Sequence, residues 1–90
     1  MQYEYDPNKS AANKAKHGIS FEETKELWDD PCAITAEAQS ETEPRFFVIG
    51  RIHDVFWTAV ITYRGAVTRI ISVRRSRDSE VTRYEEINNR

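Results

Sequence analysis

Two hydrophobic periods divide the chain. Up to Trp28 the apolar side chains fall at helical spacing, and beyond Ala33 they alternate in strand fashion. Tyr3-Glu4-Tyr5 alternates and reads as a short edge strand. Asp6 followed by Pro7 predicts an N-cap with proline at the first helical position, opening an alanine-rich helix that runs to Lys16. His17-Gly18 then supplies a polar last turn and a glycine C-cap. Ser20 to Glu23 is a capping box for a second helix, whose Phe21, Leu27 and Trp28 form an apolar stripe and which Asp30-Pro31 stops.

The stretches Ala33 to Ala38, Arg45 to His53, Val55 to Tyr63 and Val67 to Arg74 read as strands; the last three are rich in Val, Ile, Phe, Trp and Thr. Arg64-Gly65 sits where a tight hairpin turn is needed. Strict alternation on the last strand puts Val67, Arg69, Ile71 and Val73 on one face and Thr68, Ile70, Ser72 and Arg74 on the other. Asp78 or Ser79 is expected to cap a final helix carrying Val81, Tyr84 and Ile87. The order β-α-α-β-β-β-β-α predicts an α+β fold with an antiparallel sheet of about four to five strands, two N-terminal helices and one C-terminal helix, all packed on one face. Ninety residues suit one domain, expected over 1–90.

Composition narrows the classes. With 39% apolar residues the chain has enough bulk to offset the entropy of ordering, so a disordered chain is excluded. Its longest apolar run is Phe46 to Ile49, far short of a membrane span, so no membrane contact is expected. The first fifteen residues lack an apolar core and carry Glu4, Asp6 and Lys9, which argues against a secretory signal. A single cysteine, Cys32, rules out an internal disulfide and predicts a reduced, cytoplasmic setting. Gly18, Gly50 and Gly65 are isolated, so no phosphate-cradling glycine loop exists.

The net charge of −2 hides an asymmetry: residues 1–45 hold five Lys/Arg and ten Asp/Glu, whereas residues 46–90 hold eight and five. Arg64, Arg69, Arg74, Arg75 and Arg77 follow one another without an intervening acid. Arginine's planar fork suits phosphate, so this half is anion-directed; a basic face for an acidic protein partner is the alternative.

Candidate chemistry starts with Arg74-Arg75, where a strand running into a helix combines guanidiniums with backbone donors at a helix N-terminus. An exposed solubilising cluster would have the same composition. Lys16-His17 pairs a cation with a side chain that moves protons near neutrality, although a histidine in a last helical turn also serves as a dipole partner. Glu43 and Arg45 flank Pro44 at a strand entrance, where a carboxylate can act as a base or simply order its neighbour. Tyr84 lies one turn after Glu80 and fits either a hydroxyl donor to phosphate or core packing. Trp28 and Trp57 read as core rather than base-stacking platforms, Asp6 as a cap, and Cys32 as inert.

These residues resemble the BrnT-like toxins of bacterial type II toxin–antitoxin systems. The likeness runs through Tyr5-Asp6-Pro7-Asn8-Lys9, Lys16-His17-Gly18-Ile19-Ser20-Phe21 and Leu27-Trp28-Asp29-Asp30-Pro31. It continues with Glu43-Pro44-Arg45 and Gly50, then Arg69-Ile70-Ile71-Ser72-Val73-Arg74-Arg75 with Glu80 and Tyr84. Val73 and Trp28 stand where the family usually has alanine and phenylalanine, and neither change removes a polar group. The resemblance implies a RelE-like fold and an mRNA-cleaving toxin that arrests growth. It also implies a ribbon-helix-helix antitoxin, with promoter DNA bound only through the complex. The matching polar positions are Lys16, His17, Glu43, Arg45, Arg74, Arg75 and Tyr84.

Ribonucleolytic attack by a 2′-hydroxyl needs a base, an acid and cations on the phosphate. Arg74 and Arg75 are the expected phosphate ligands, with Lys16, Arg45, Arg69 and Arg77 helping to hold RNA. Glu43 or His17 is the expected base, and His17 or Tyr84 the acid. No acidic or histidine cluster has metal-ligand spacing, so neither a metal nor another cofactor is expected. The competing reading is a non-catalytic module that uses its arginine-rich strand to bind an acidic protein or a nucleic acid.

Overall fold

The computed structural model describes residues 1–89 and has the element order read from the sequence. Strand β1 (Gln2–Glu4) leads to helix α1 (Pro7–His17), which Asp6 caps by accepting the Asn8 N–H at 2.8 Å. Gly18 closes α1 in the left-handed conformation at φ +82°, its N–H returning to the Lys14 carbonyl. The capping box at Ser20 and Glu23 opens α2 (Phe21–Thr24), which tightens at once into a 3-10 segment over Lys25–Asp29. The second helix is thus shorter and tighter than its periodicity suggests. Leu27 reaches full burial within it, and Asp30 pulls the chain off the helix by accepting the Cys32 N–H and, across the fold, the Arg51 N–H.

Four strands follow: β2 (Ile34–Ala38), β3 (Arg45–Ile52), β4 (Val55–Arg64) and β5 (Val67–Arg75), and then helix α3 (Asp78–Asn88). The sheet order is β1-β5-β4-β3-β2. All pairs are antiparallel except β1 with β5, so the sheet is mixed, not wholly antiparallel as expected. A meander leaves its last strand at an edge, and β1, the one strand outside the meander, fills it with three paired residues.

The strict alternation expected on β5 fails at one place. Val60 lies opposite Ser72 and Ile61 opposite Ile70, so Ile71 is an extra residue that bulges the strand. Thr68, Ile70 and Val73 therefore share the buried inner face. There Ile70 and Val73 join Val48, Ala59 and Ile61 of the sheet against Ile19, Phe21 and Leu27. Gly50 lets the 3-10 segment approach this face, since a Cβ there would meet Leu27 Cδ2 at 3.1 Å.

The third helix also departs from expectation. It packs on the opposite, outer face: Tyr84 meets Phe56 edge-on at 5.1 Å, and Phe56 alternates with core-packed Trp57 along β4. Its N-cap is Arg77 rather than Asp78 or Ser79, because Glu80 reaches back to accept the Arg77 N–H at 2.7 Å. Glu80 also binds Arg74 on the outer face, and this drags the chain across the end of the sheet.

Candidate active site

Helix α1 is bolted to β5 by a side chain that sequence patterning passed over. Asn13 is buried in mid-helix; its Nδ2 donates to the Ile19 carbonyl at 2.9 Å and its Oδ1 accepts the Val73 N–H at 3.3 Å. One turn earlier, buried Ser10 accepts the Phe21 N–H at 2.9 Å. Two polar residues three apart on one helical face were the available signal, since buried polar groups are retained only when bonded. His17, half-buried, follows Asn13 by one turn, and Arg75 follows Val73 by two residues. Both leave the Asn13 anchor toward the same end of the inner face. Gly18 and Trp57 line one cleft there, and the Arg75 guanidinium lies 5.6 Å from the centre of the Trp57 ring. Lys16 and Arg75 are both exposed. The structure thus sets the end of α1 that carries Lys16 and His17, and the Trp57 ring that Arg75 covers, at one cleft.

It separates Arg74 from Arg75. After the bulge, Arg74 pairs with Thr58 on the outer face and Arg75 with Trp57 on the inner face. Both terminal nitrogens of Arg74 are taken by Glu80, at 2.7 and 2.9 Å, and Nη1 also donates to the Arg75 carbonyl at 3.2 Å. Burial, the largest single influence, pushes the Glu80 carboxyl up. Hydrogen bonds from Arg74, the Arg77 N–H and Thr58, with the Arg74 charge, outweigh it and hold the group at about 2. The fork expected on phosphate is therefore filled by a carboxylate. Of Arg77, only the backbone N–H enters this network, and its side chain is exposed.

Tyr84 is tied into the outer face by its hydroxyl and its ring. Its hydroxyl donates to Asp30 Oδ2 at 2.9 Å, and burial first, then the bond to Asp30 and its charge, push it up to about 12. Asp30 joins its own turn, through the Cys32 N–H, to two distant pieces of chain, through the Arg51 N–H and Tyr84, whereas the sequence marked it only as a helix stop. Nothing local announces partners 21 and 54 positions away.

The remaining candidates lie at the far end of the outer face. Glu43 sits 3.4 Å from Arg64, which also faces Glu4 at 3.6 Å, and Arg69 approaches Glu4 at 3.7 Å. Arg45 starts β3 beside them, with a buried Nε that has no hydrogen-bond partner. Neither Glu43 nor Arg45 is brought to Lys16, His17 and Arg75: Glu43 pairs with Arg64, at the end of β4 remote from Trp57. Among the described residues no three His, Cys, Asp or Glu side chains cluster closely enough to hold a metal.

The family model described as ribonuclease toxin, BrnT, of type II toxin-antitoxin system matches residues 5–80. That span takes in α1, the whole of β2 to β5 and Glu80. No curated protein matches the chain. No helix among the described residues is long and apolar enough to cross a membrane. With so much of the fold inside one match, the chain belongs to the BrnT family of type II toxin–antitoxin ribonuclease toxins.

Proposed function

We propose that this toxin cleaves mRNA without a metal, using Lys16, His17 and Arg75 at the inner-face end of the sheet. The observation that carries the proposal is the Asn13 bolt, which directs a helix end bearing an imidazole and an ammonium toward the same end of the sheet as a free guanidinium. His17 takes the proton of the 2′-hydroxyl as its oxygen bonds to phosphorus. Arg75 holds the equatorial oxygens as charge builds there. The bond from phosphorus to the 5′-oxygen breaks, and Lys16 supplies the proton that this oxygen needs. The products are a 2′,3′-cyclic phosphate and a 5′-hydroxyl. Arg74, Glu80 and Tyr84 hold the ends of β5 and α3 in place and do not touch RNA. Arg45, Arg64 and Arg69, with Glu43 paired to Arg64, form the outer end and take longer RNA or a protein partner.

Expression of the chain alone in bacteria is expected to arrest growth, and Arg75→Ala to relieve the arrest at equal protein level. Normal growth with the unaltered, soluble chain would favour the non-catalytic module instead.

The family's antitoxin is proposed to be a ribbon-helix-helix protein that supplies the DNA binding of a self-repressing complex. Support comes from charge: at −2 net the toxin lacks the broad basic surface that duplex DNA requires, while Arg45, Arg64 and Arg69 outnumber the Glu4 and Glu43 carboxylates among them at one end of the outer face. The isolated toxin is expected to leave promoter DNA unbound at physiological salt, and its association with the antitoxin to slow as salt rises. Filter binding and stopped-flow mixing measure the two. Tight promoter binding by the toxin alone would contradict the division of labour.

A further inference from the structure

Beside the proposed catalytic group lies a cleft that its chemistry does not use. It holds about 270 Å³ and is lined by Gly18, Glu23, Glu26, His53, Val55 and Trp57, among others. That is smaller than the range of about 300–1,000 Å³ typical of drug-sized ligands, and it suits a single planar base. One end is Gly18, the residue after His17, and one wall is the indole of Trp57, with Arg75 over its ring. The aromatic wall therefore adjoins the groups assigned to the phosphate.

The two carboxylates of the cleft differ in what they have free. Glu23 is engaged by Lys14 at 2.7 Å and by the Ser20 N–H at 3.0 Å. Glu26 is half-exposed and faces His53 Nε2 at 3.9 Å, beyond hydrogen-bonding distance. An ionised carboxylate only accepts hydrogen bonds, and it accepts best from two parallel donors. Among the four RNA bases, guanine alone offers two adjacent donors on its Watson–Crick edge, N1–H and the N2 amino group. Adenine and cytosine set one amino group beside a lone pair that repels the carboxylate, and uracil sets one N–H between two carbonyls. Single-stranded RNA is read by stacking on aromatic side chains together with hydrogen bonds to this edge.

We propose that the cleft is a guanine subsite, in which the base next to the scissile phosphate stacks on Trp57 and presents N1–H and N2–H to Glu26. Arg75 covers the indole in the free protein and exchanges that contact for the phosphate when RNA enters. The exchange is favourable because a charge-assisted hydrogen bond to phosphate is stronger than an exposed cation–π contact. The subsite rests on the ribonuclease proposal for the neighbouring groups, but guanine binding and cleavage are separable.

Trp28 packs edge-on against Tyr3, and phenylalanine keeps that ring, so a Trp28→Phe protein reports Trp57 fluorescence alone. Titrated with the four nucleoside 3′-monophosphates, it is expected to be quenched by the guanine nucleotide at a concentration at least tenfold below the others. Glu26→Gln, an exposed change that spares the fold, is expected to erase that tenfold difference. In parallel, cut sites on a mixed-sequence RNA are expected to adjoin guanines, and the Glu26→Gln protein to lose this bias. Guanine-selective quenching without RNA cleavage would support the subsite and sink the ribonuclease proposal. Cleavage with no base bias, or with a bias that Glu26→Gln leaves intact, would overturn the subsite and leave the ribonuclease standing. Equal quenching by all four nucleotides, or by none at millimolar concentration, would likewise overturn it.

Discussion

Arg75→Ala is expected to lower RNA cleavage by about 10²-fold or more while leaving the fold intact. The side chain is exposed and its one described contact is the Trp57 ring at 5.6 Å, so its loss costs little stability. Its effect is expected in the transition state, where negative charge collects on the phosphate. Arg74→Ala is expected to do the opposite. That guanidinium is a quarter exposed, and its two terminal nitrogens bind Glu80. Removing it strands a largely buried carboxylate at a cost of about 2 kcal/mol, and a domain of this size then melts roughly 10 °C lower. Cleavage measured below that melting point should fall by less than about tenfold, the variant still holding Arg75. Single-turnover rates and thermal melts of both proteins separate the two roles. A stable Arg74→Ala protein without activity, beside a fully active Arg75→Ala protein, would reverse the assignment.

The second large effect is on acid stability. Glu80 is held at about 2, against an ordinary value of 4.5, so the folded state binds its proton less readily than the unfolded chain does. A depressed carboxyl contributes stability that is complete above pH 4.5 and is lost as pH falls from 4.5 toward 2. For a side chain 13% exposed the loss is on the order of 2–3 kcal/mol. Urea unfolding of the wild type at pH 7 and pH 3 measures it. Glu80→Gln should be less stable at pH 7 and show a flatter pH profile, the two proteins converging in acid. Glu23 is also held at about 2, chiefly by its bond from Lys14, but both partners are half-exposed and solvent screens most of that contribution. An unchanged acid slope in the Glu80→Gln protein would show that other carboxylates carry it.

Local rules made most of the fold legible. Asp6-Pro7, Gly18 and the Ser20–Glu23 box act through neighbours one to four residues away, and all three stand where the sequence placed them. The β5 bulge left no such trace: Ile71 is neither Gly nor Pro, and its extra place in the strand depends on what β4 presents opposite. That single residue inverts the second half of β5, so it decides which of two adjacent arginines lies over Trp57 and which meets Glu80. The parallel pairing of β1 and the outer-face position of α3 were hidden for a similar reason. Both depend on an open edge or an ion pair that exists only once the strands have assembled. Of the site, the residue types at Lys16, His17 and Arg75 were readable from the sequence. That the end of α1 lies toward the end of β5 was not, because the two are tied through Asn13 to a backbone N–H 60 positions away.

Cleavage of a defined RNA by the purified toxin in excess EDTA, with the product ends identified, separates the proposed chemistry from a metal-dependent one. Cleavage in the chelator to a 2′,3′-cyclic phosphate and a 5′-hydroxyl is expected, lost in His17→Ala and Arg75→Ala proteins that remain folded. Activity abolished by EDTA and restored by magnesium, or products ending in a 3′-hydroxyl and a 5′-phosphate, would contradict it.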